Sequence, residues 1–321
     1  MHHLFKEIAM LVTHQLKMMG TLIDIQIDSG RADQQLTTVC QLFETYKNRF
    51  SANDADSELM AINDHAGQKA IVVHPQLFEL IQIGKEHSLA DTSNLNIAIG
   101  PLVQSWRIGF SDAHLPSDAT IKKQLALTNP ENIILDHEKS SVFLTEPGMK
   151  IDLGALAKGY IADRIMDYLV QDGIKSALIN LGGNVLVYGD NSKRPDGLFY
   201  IGIQHPEKKR GHNLGLVKVK NLSVVTSGIY ERRLKVADKE YHHIFDKETG
   251  YPIETDMASL TIIADASLDC EIWTTRLFGL DSLKVFHILN QLPTIEGIIV
   301  TKDNRIAVSN GLKDKWTLLY N

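Results

Sequence analysis

The chain has 321 residues, 44% of them hydrophobic and 22% charged, with a formal net charge of -6. That much apolar surface offsets chain entropy, so a folded globular protein is expected and a disordered one excluded. The acidic balance argues against a nucleic-acid partner, which needs a basic face.

In chain order, Ile8-Ala9-Met10-Leu11-Val12 is the first apolar run, with His2, His3, Lys6 and Glu7 before it. It is too short for a signal-peptide core or a bilayer span, so no membrane partner is expected. Two cysteines, Cys40 and Cys270, in so long a chain fit a reducing compartment and a cytoplasmic protein. After Met19-Gly20-Thr21, residues 22–27 alternate as a strand does. Residues 31–48 place Leu36, Val39, Cys40, Phe43 and Tyr46 on one helix face. A polar loop over 50–57 offers Asp56 or Ser57 as cap for a short helix running to Asn63. Pro75 opens another helix, carrying Leu77, Leu80, Ile81 and Gly84, and residues 111–150 read as a hinge region followed by strands over 132–135 and 141–144. Residues 151–154 end a strand. Residues 155–171 then form an amphipathic helix, with Ile161, Ile165, Tyr168 and Leu169 inward, Asp163, Arg164 and Asp167 outward, and Gly173 as its stop. Residues 177–181 form a strand closed by Gly182-Gly183, strands follow over 200–204, 215–220, 232–236 and 260–264, and a helix covers 267–279. Helices and strands mix without a regular βαβ rhythm. The expected fold class is α+β with a largely antiparallel sheet and flanking helices, in a single domain over 1–321 made of two intimately joined lobes.

Four segments carry residues suited to chemistry. In Asp152-Leu153-Gly154-Ala155-Leu156-Ala157-Lys158-Gly159-Tyr160, small residues crowd a strand-to-helix turn. Such a turn either admits a phosphate to the helix start, with Lys158 adding positive charge, or packs helix on sheet. It is neither a Walker loop nor a GxGxxG fingerprint. Asn180-Leu181-Gly182-Gly183-Asn184 is a bulge or a ligand-facing turn. Thr226-Ser227-Gly228-Ile229-Tyr230-Glu231-Arg232 precedes Tyr241-His242-His243-Ile244-Phe245-Asp246. On a strand the two histidines face opposite sides, one to a site and the other to core or solvent. In Asp269-Cys270-Glu271-Ile272-Trp273-Thr274-Thr275, Glu271 and Thr275 share a helix face at i and i+4, while Asp269 points away. That pair either hydrogen-bonds on a surface helix or offers hard oxygens to magnesium.

Taken in this order, the four segments resemble the ApbE family, the FAD:protein FMN transferases. Thr249-Gly250 with Pro252, Met19-Gly20-Thr21, Phe50-Ser51 with Asp56-Ser57-Glu58, and Gly100-Pro101-Leu102-Val103 add to the likeness, which runs from about Met19 to the C-terminus. The resemblance implies a two-lobed, T-fold-like α+β architecture with FAD between the lobes and Mg2+ on its pyrophosphate. Position by position, it implies Ala157 (through its carbonyl), Glu271 and Thr275 as metal ligands. It implies Met19, Asn53, Asn96, Ala98, Lys158, Ser227, Ile229 and His243 as cofactor-lining residues. The implied reaction moves FMN from FAD to a Thr or Ser hydroxyl in a short motif of an acceptor flavoprotein and releases AMP; His243 and Asp246 are the catalytic candidates for receiving the hydroxyl proton. Three positions depart from the family's usual pattern. Glu271 stands for aspartate, Asn96-Ile97-Ala98 for Asp-x-Thr, and Asn53 for an aromatic. They keep two alternatives in view, a non-catalytic FAD-binding protein and an FAD pyrophosphatase giving FMN and AMP.

Overall fold

The structure, a computed structural model, describes residues 10–319. His2, His3, Lys6, Glu7 and the start of the first apolar run lie outside the described residues. Strands β1 (Met10–Met18) and β2 (Thr21–Ser29) form a hairpin. Its two-residue turn has Met19 at φ 52° and Gly20 at φ 71°. Two successive left-handed residues are what the I′ hairpin turn requires, and glycine adopts that conformation at no steric cost. Helix α1 (Ala32–Phe50) buries Val39, Phe43 and Tyr46, with Leu36 and Cys40 half-buried, as the periodicity predicts. Helix α2 (Glu58–Asp64) is capped by Ser57, whose Oγ accepts from the Met60 N–H at 3.1 Å; Asp56 is exposed and takes no part. Strand β3 (Ile71–Val72) and helix α3 (Pro75–Leu89) follow, and then α4 (Gly100–Trp106) and α5 (Asp118–Leu125). Helix α5 corrects the hinge reading. Ser117 caps it through the Thr120 N–H, and Ile121 anchors it with 1% of its surface exposed. Strands β4 (Ile133–Asp136) and β5 (Ser141–Leu144) occupy the two predicted positions.

Residues 151–154 are not a strand end. Ile151 exchanges both backbone hydrogen bonds with the Asn63 side chain, and Asp152 N–H donates to the Ile97 carbonyl, so this stretch is threaded between helices and joins no ladder. Asp152 Oδ1 then accepts from the Gly154 N–H at 2.8 Å, an Asx turn that delays helix α6 to Ala157–Gln171. The remaining elements are β6 (Ser176–Leu181), β7 (Asn184–Gly189), β8 (Phe199–Gln204), β9 (Asn213–Val219), β10 (Ser223–Gly228), β11 (Arg233–Val236), β12 (Lys239–His242), β13 (Met257–Ala264), α7 (Ser267–Leu277), α8 (Ser282–Leu289), β14 (Glu296–Thr301), β15 (Ile306–Val308) and β16 (Trp316–Leu318).

The main sheet has eight strands in the order β1-β2-β6-β7-β10-β13-β14-β15, every neighbouring pair antiparallel. Three small sheets, β8-β9-β16, β3-β5-β4 and the β11-β12 hairpin, pack around it. At one end of the main sheet, Ile23, Ile25 and Ile27 of β2 and Ile179 of β6 pack with Phe43 of α1, Leu80 of α3, and Ile161 and Ile165 of α6. At the other end, Leu260 and Ile262 of β13 pack with Cys270 and Leu277 of α7 and Val285 of α8, while Val224 and Ile263 meet β8 and β9 on the opposite face. Strand β13 is therefore buried along its whole length, Ser259 and Thr261 included.

Candidate active site

Helix α6, packed on β6 and β7, crosses α7, packed on β10 and β13. Gly159 makes that crossing close: a Cβ there would lie 2.6 Å from the Ser267 carbonyl oxygen and 2.8 Å from Leu268 Cα. Both are main-chain atoms that cannot swing aside. Gly159→Ala is therefore expected to force the helices apart and destabilise the fold by about 1–3 kcal/mol, read as a lowered midpoint in urea, with weakened FAD binding alongside. Asp163 completes the junction. It was read from the sequence as outward-facing, yet its two oxygens accept from the Ser267 and Leu268 N–H groups at 2.7 and 2.8 Å. It caps α7 from another helix, since α7 has no side-chain cap of its own. Burial pushes its carboxyl up to about 6 against the pull of those two N–H groups. Asp163→Ala is expected to lower unfolding free energy by about 1–2 kcal/mol, measured in urea.

This crossing brings Lys158 of α6 to Glu271 of α7, Nζ to Oε1 at 2.5 Å. Glu271 is 4% exposed. Asn184, the first residue of β7, donates to the same Oε1 at 2.9 Å, and its own Oδ1 accepts from the Ser267 hydroxyl at 2.7 Å. Both donors converge on Oε1 and neither takes Oε2. Thr275 lies one turn further along α7 and is half-buried, while Ala157 opens α6 beside Lys158. The hydroxyl of Thr274 instead bonds back to the Glu271 carbonyl at 3.0 Å. Among the described residues, no three His, Cys, Asp or Glu side chains gather as a metal cage. One buried carboxylate with a hydroxyl and a main-chain carbonyl nearby is instead the sparse hard-oxygen set that suits magnesium held partly by a ligand's phosphates.

The two adjacent histidines have different surroundings. His242 ends β12, where Nε2 lies 3.0 Å from the Ile253 carbonyl and Nδ1 accepts from the Ile244 N–H at 3.3 Å. It ties the β12 end to the 252–253 segment. His243 Nδ1 is closed off from solvent and has no hydrogen-bond partner among the described residues. Burial first, then the charge of Arg232, push the His243 ring down to about 4; Lys158 adds to the same effect. A neutral imidazole, close enough to Arg232 and Lys158 to feel their charge, is therefore part of this site. Arg232 itself runs beneath Gly109, where a Cβ would lie 2.7 Å from its Cδ.

The other candidates are placed as follows. Met19 sits half-buried in the β1–β2 turn. Asn53 is exposed, its Oδ1 accepting from Gln104 at 3.2 Å. Ser227 and Ile229 lie half-buried at the end of β10, where Ile229 N–H bonds the Ala258 carbonyl. Asn96 has both polar ends in use, Nδ2 on the Thr128 carbonyl and Oδ1 on the Ala98 N–H, each at 2.8 Å. Its side chain caps a 3-10 turn. Ala98, in the same turn, has no exposed surface. Asp246 spends Oδ1 on the N–H groups of Glu248 and Thr249, holding its own turn. It borders an open cavity of about 670 Å3 with Asn94, Ile253 and Arg276, which Glu271, Lys158 and His243 do not line. Asn184 and Arg232 were not singled out from sequence as site residues. The signal for Asn184 was a polar residue directly after Gly182-Gly183 at the start of a buried strand; for Arg232 it was a cation within the Thr226 to Arg232 segment.

The ApbE family model matches residues 19–299. The chain belongs to the ApbE family. An ApbE relative from Klebsiella pneumoniae (strain 342), named FAD:protein FMN transferase, is 43% identical over 294 residues, 91% of this chain and 90% of that one. One from Treponema pallidum (strain Nichols), of the same name, is 33% identical over 94% of this chain and 87% of its own. The crystal structure of the ApbE protein from Thermotoga maritima superposes with a TM-score of 0.87 at 25% identity, over 95% of this chain and 99% of that one. The ApbE fold is thus the α+β, largely antiparallel architecture expected from the sequence. Among the described residues no helix is long and apolar enough to cross a membrane.

Proposed function

We propose that the chain is an FAD:protein FMN transferase. The observation that carries this reading is the buried carboxylate of Glu271, aimed by Lys158 and Asn184 at the α6–α7 crossing, with neutral His243 near Lys158. The family relatives' names support the substrate. Glu271, Thr275 and the Ala157 carbonyl would hold a magnesium ion, which when bound neutralises diphosphate charge and stabilises the leaving AMP. Lys158 places a further positive charge beside the diphosphate. The attacking group is a Thr or Ser hydroxyl of an acceptor flavoprotein. Its oxygen bonds to the FMN-side phosphorus while the bond to the bridging oxygen breaks, and AMP departs with that oxygen. The hydroxyl proton is assigned to the His243 ring, which burial and then the charge of Arg232 hold neutral, and so unprotonated, before the step. Asp246 is assigned the secondary task of shaping the turn after His243. The free thiols Cys40 and Cys270 support a reducing, cytoplasmic setting.

The test is FAD binding followed by fluorescence, with AMP release followed by chromatography, each with magnesium and with chelator. Magnesium-dependent AMP release that rises on adding an acceptor is the expected result. AMP release indifferent to acceptor would assign the site to a pyrophosphatase, and tight FAD binding without AMP would assign it to a carrier.

A further inference from the structure

The ammonium of Lys158 lies 2.5 Å from Glu271 Oε1, and only 5% of the Glu271 side chain is exposed. A carboxylate so buried needs a counter-charge, and here the lysine supplies it. A divalent cation on the same carboxylate would make the ammonium redundant and repel it strongly at this range. The two partners are not equally able to move. Glu271 is fixed within α7 and held by Asn184 at 2.9 Å, itself fixed by Ser267 at 2.7 Å. Lys158 is 30% exposed on a long flexible stem, so the lysine is the one that can leave. It also stands in the first turn of α6, where a cation faces the positive end of the helix dipole and gains most from an anionic partner.

We propose that Lys158 is an exchangeable internal cation. A divalent ion arriving at Glu271 expels the ammonium, which turns to the diphosphate of the flavin nucleotide, so that metal and nucleotide bind cooperatively through one side chain. This rests on the reading of Glu271 and Thr275 as metal ligands and adds the coupling between metal and nucleotide.

The experiment is manganese binding to the full chain, read by the electron paramagnetic resonance of free Mn2+, first without nucleotide and then with FAD. Lys158→Met and Lys158→Gln are expected to bind manganese about tenfold more tightly than wild type without nucleotide, the order of effect of removing an adjacent like charge. Gln keeps a hydrogen-bond donor for Oε1, so tightening in both variants assigns the effect to charge and guards against a Met variant that fails to fold. Lys158→Arg, which keeps the charge, is expected to stay within about twofold of wild type. FAD should tighten manganese binding in wild type by a larger factor than in Lys158→Gln, and that difference is the coupling. Unchanged or weaker manganese binding in folded Lys158→Gln, or an equal effect of FAD in both proteins, overturns the exchange. Wild type that binds no manganese, with or without FAD and no better than Glu271→Gln, overturns the metal reading itself and is a separate result.

Discussion

Glu271→Gln is expected to slow AMP release from FAD by about 10²–10³-fold, about 3–4 kcal/mol of lost transition-state stabilisation. The substitution keeps shape and hydrogen bonding while removing the charge. Asn184 can still donate to the remaining carbonyl oxygen, so the α6–α7 crossing should hold and the melting temperature should change little. What is lost is the charge of the Glu271 carboxylate, 4% exposed, and with it the anchor for a cation. Glu271→Asp sets the scale for geometry alone. It shortens the side chain by one methylene but keeps the charge, and is expected to lose no more than about tenfold. AMP release measured by chromatography at saturating FAD distinguishes the two, and Glu271→Gln turning over within a few-fold of wild type would remove Glu271 from the mechanism.

His243→Ala is expected to reduce transfer to acceptor by about 10²–10³-fold while leaving FAD binding within a few-fold of wild type. A group that only lined the flavin would do the reverse. The pH dependence carries the sign. Burial, with Arg232 second, holds the ring down to about 4, so it is neutral and able to accept a proton throughout the neutral range. The transfer rate should therefore be flat with respect to this group above about pH 5 and fall as pH drops through about 4. A rate that declines already as pH falls through the ordinary histidine value of 6.5 would mean that the ring is exposed or that another group takes the proton.

Much of this site was legible in the sequence because its residues lie in short, locally patterned segments. Glu271 and Thr275 could be placed on one helix face by spacing alone, and Gly159 and Lys158 stood out in a run of small residues. What the sequence could not supply is which segments meet. The 2.5 Å approach of Lys158 to Glu271 spans 113 residues and depends on a close helix crossing that a Cβ at residue 159 would obstruct. Asp163 was assigned to solvent from helical periodicity, since nothing local says that another helix will bring unsatisfied N–H groups to it. Ala98 and Asn96 followed the family pattern by position, and their burial and local hydrogen bonds come from a 3-10 turn that the pattern does not reveal. The missed helix α5 begins at a serine cap just beyond Pro116, in a stretch whose polar residues read as loop. Of the fully buried β13 the sequence shows only the part over 260–264, since Ser259 interrupts its apolar residues, and the half-exposed β1 carries too little alternation to be read.

The most direct measurement is the intact mass of an acceptor flavoprotein domain after incubation with the full chain, FAD and magnesium, with AMP quantified in the same sample. The expected result is an acceptor heavier by one FMN phosphoryl group on a Thr or Ser, AMP in equal amount, and loss of both with Glu271→Gln. AMP without any gain in acceptor mass, or the same gain in the presence of Glu271→Gln, would contradict transfer at this site.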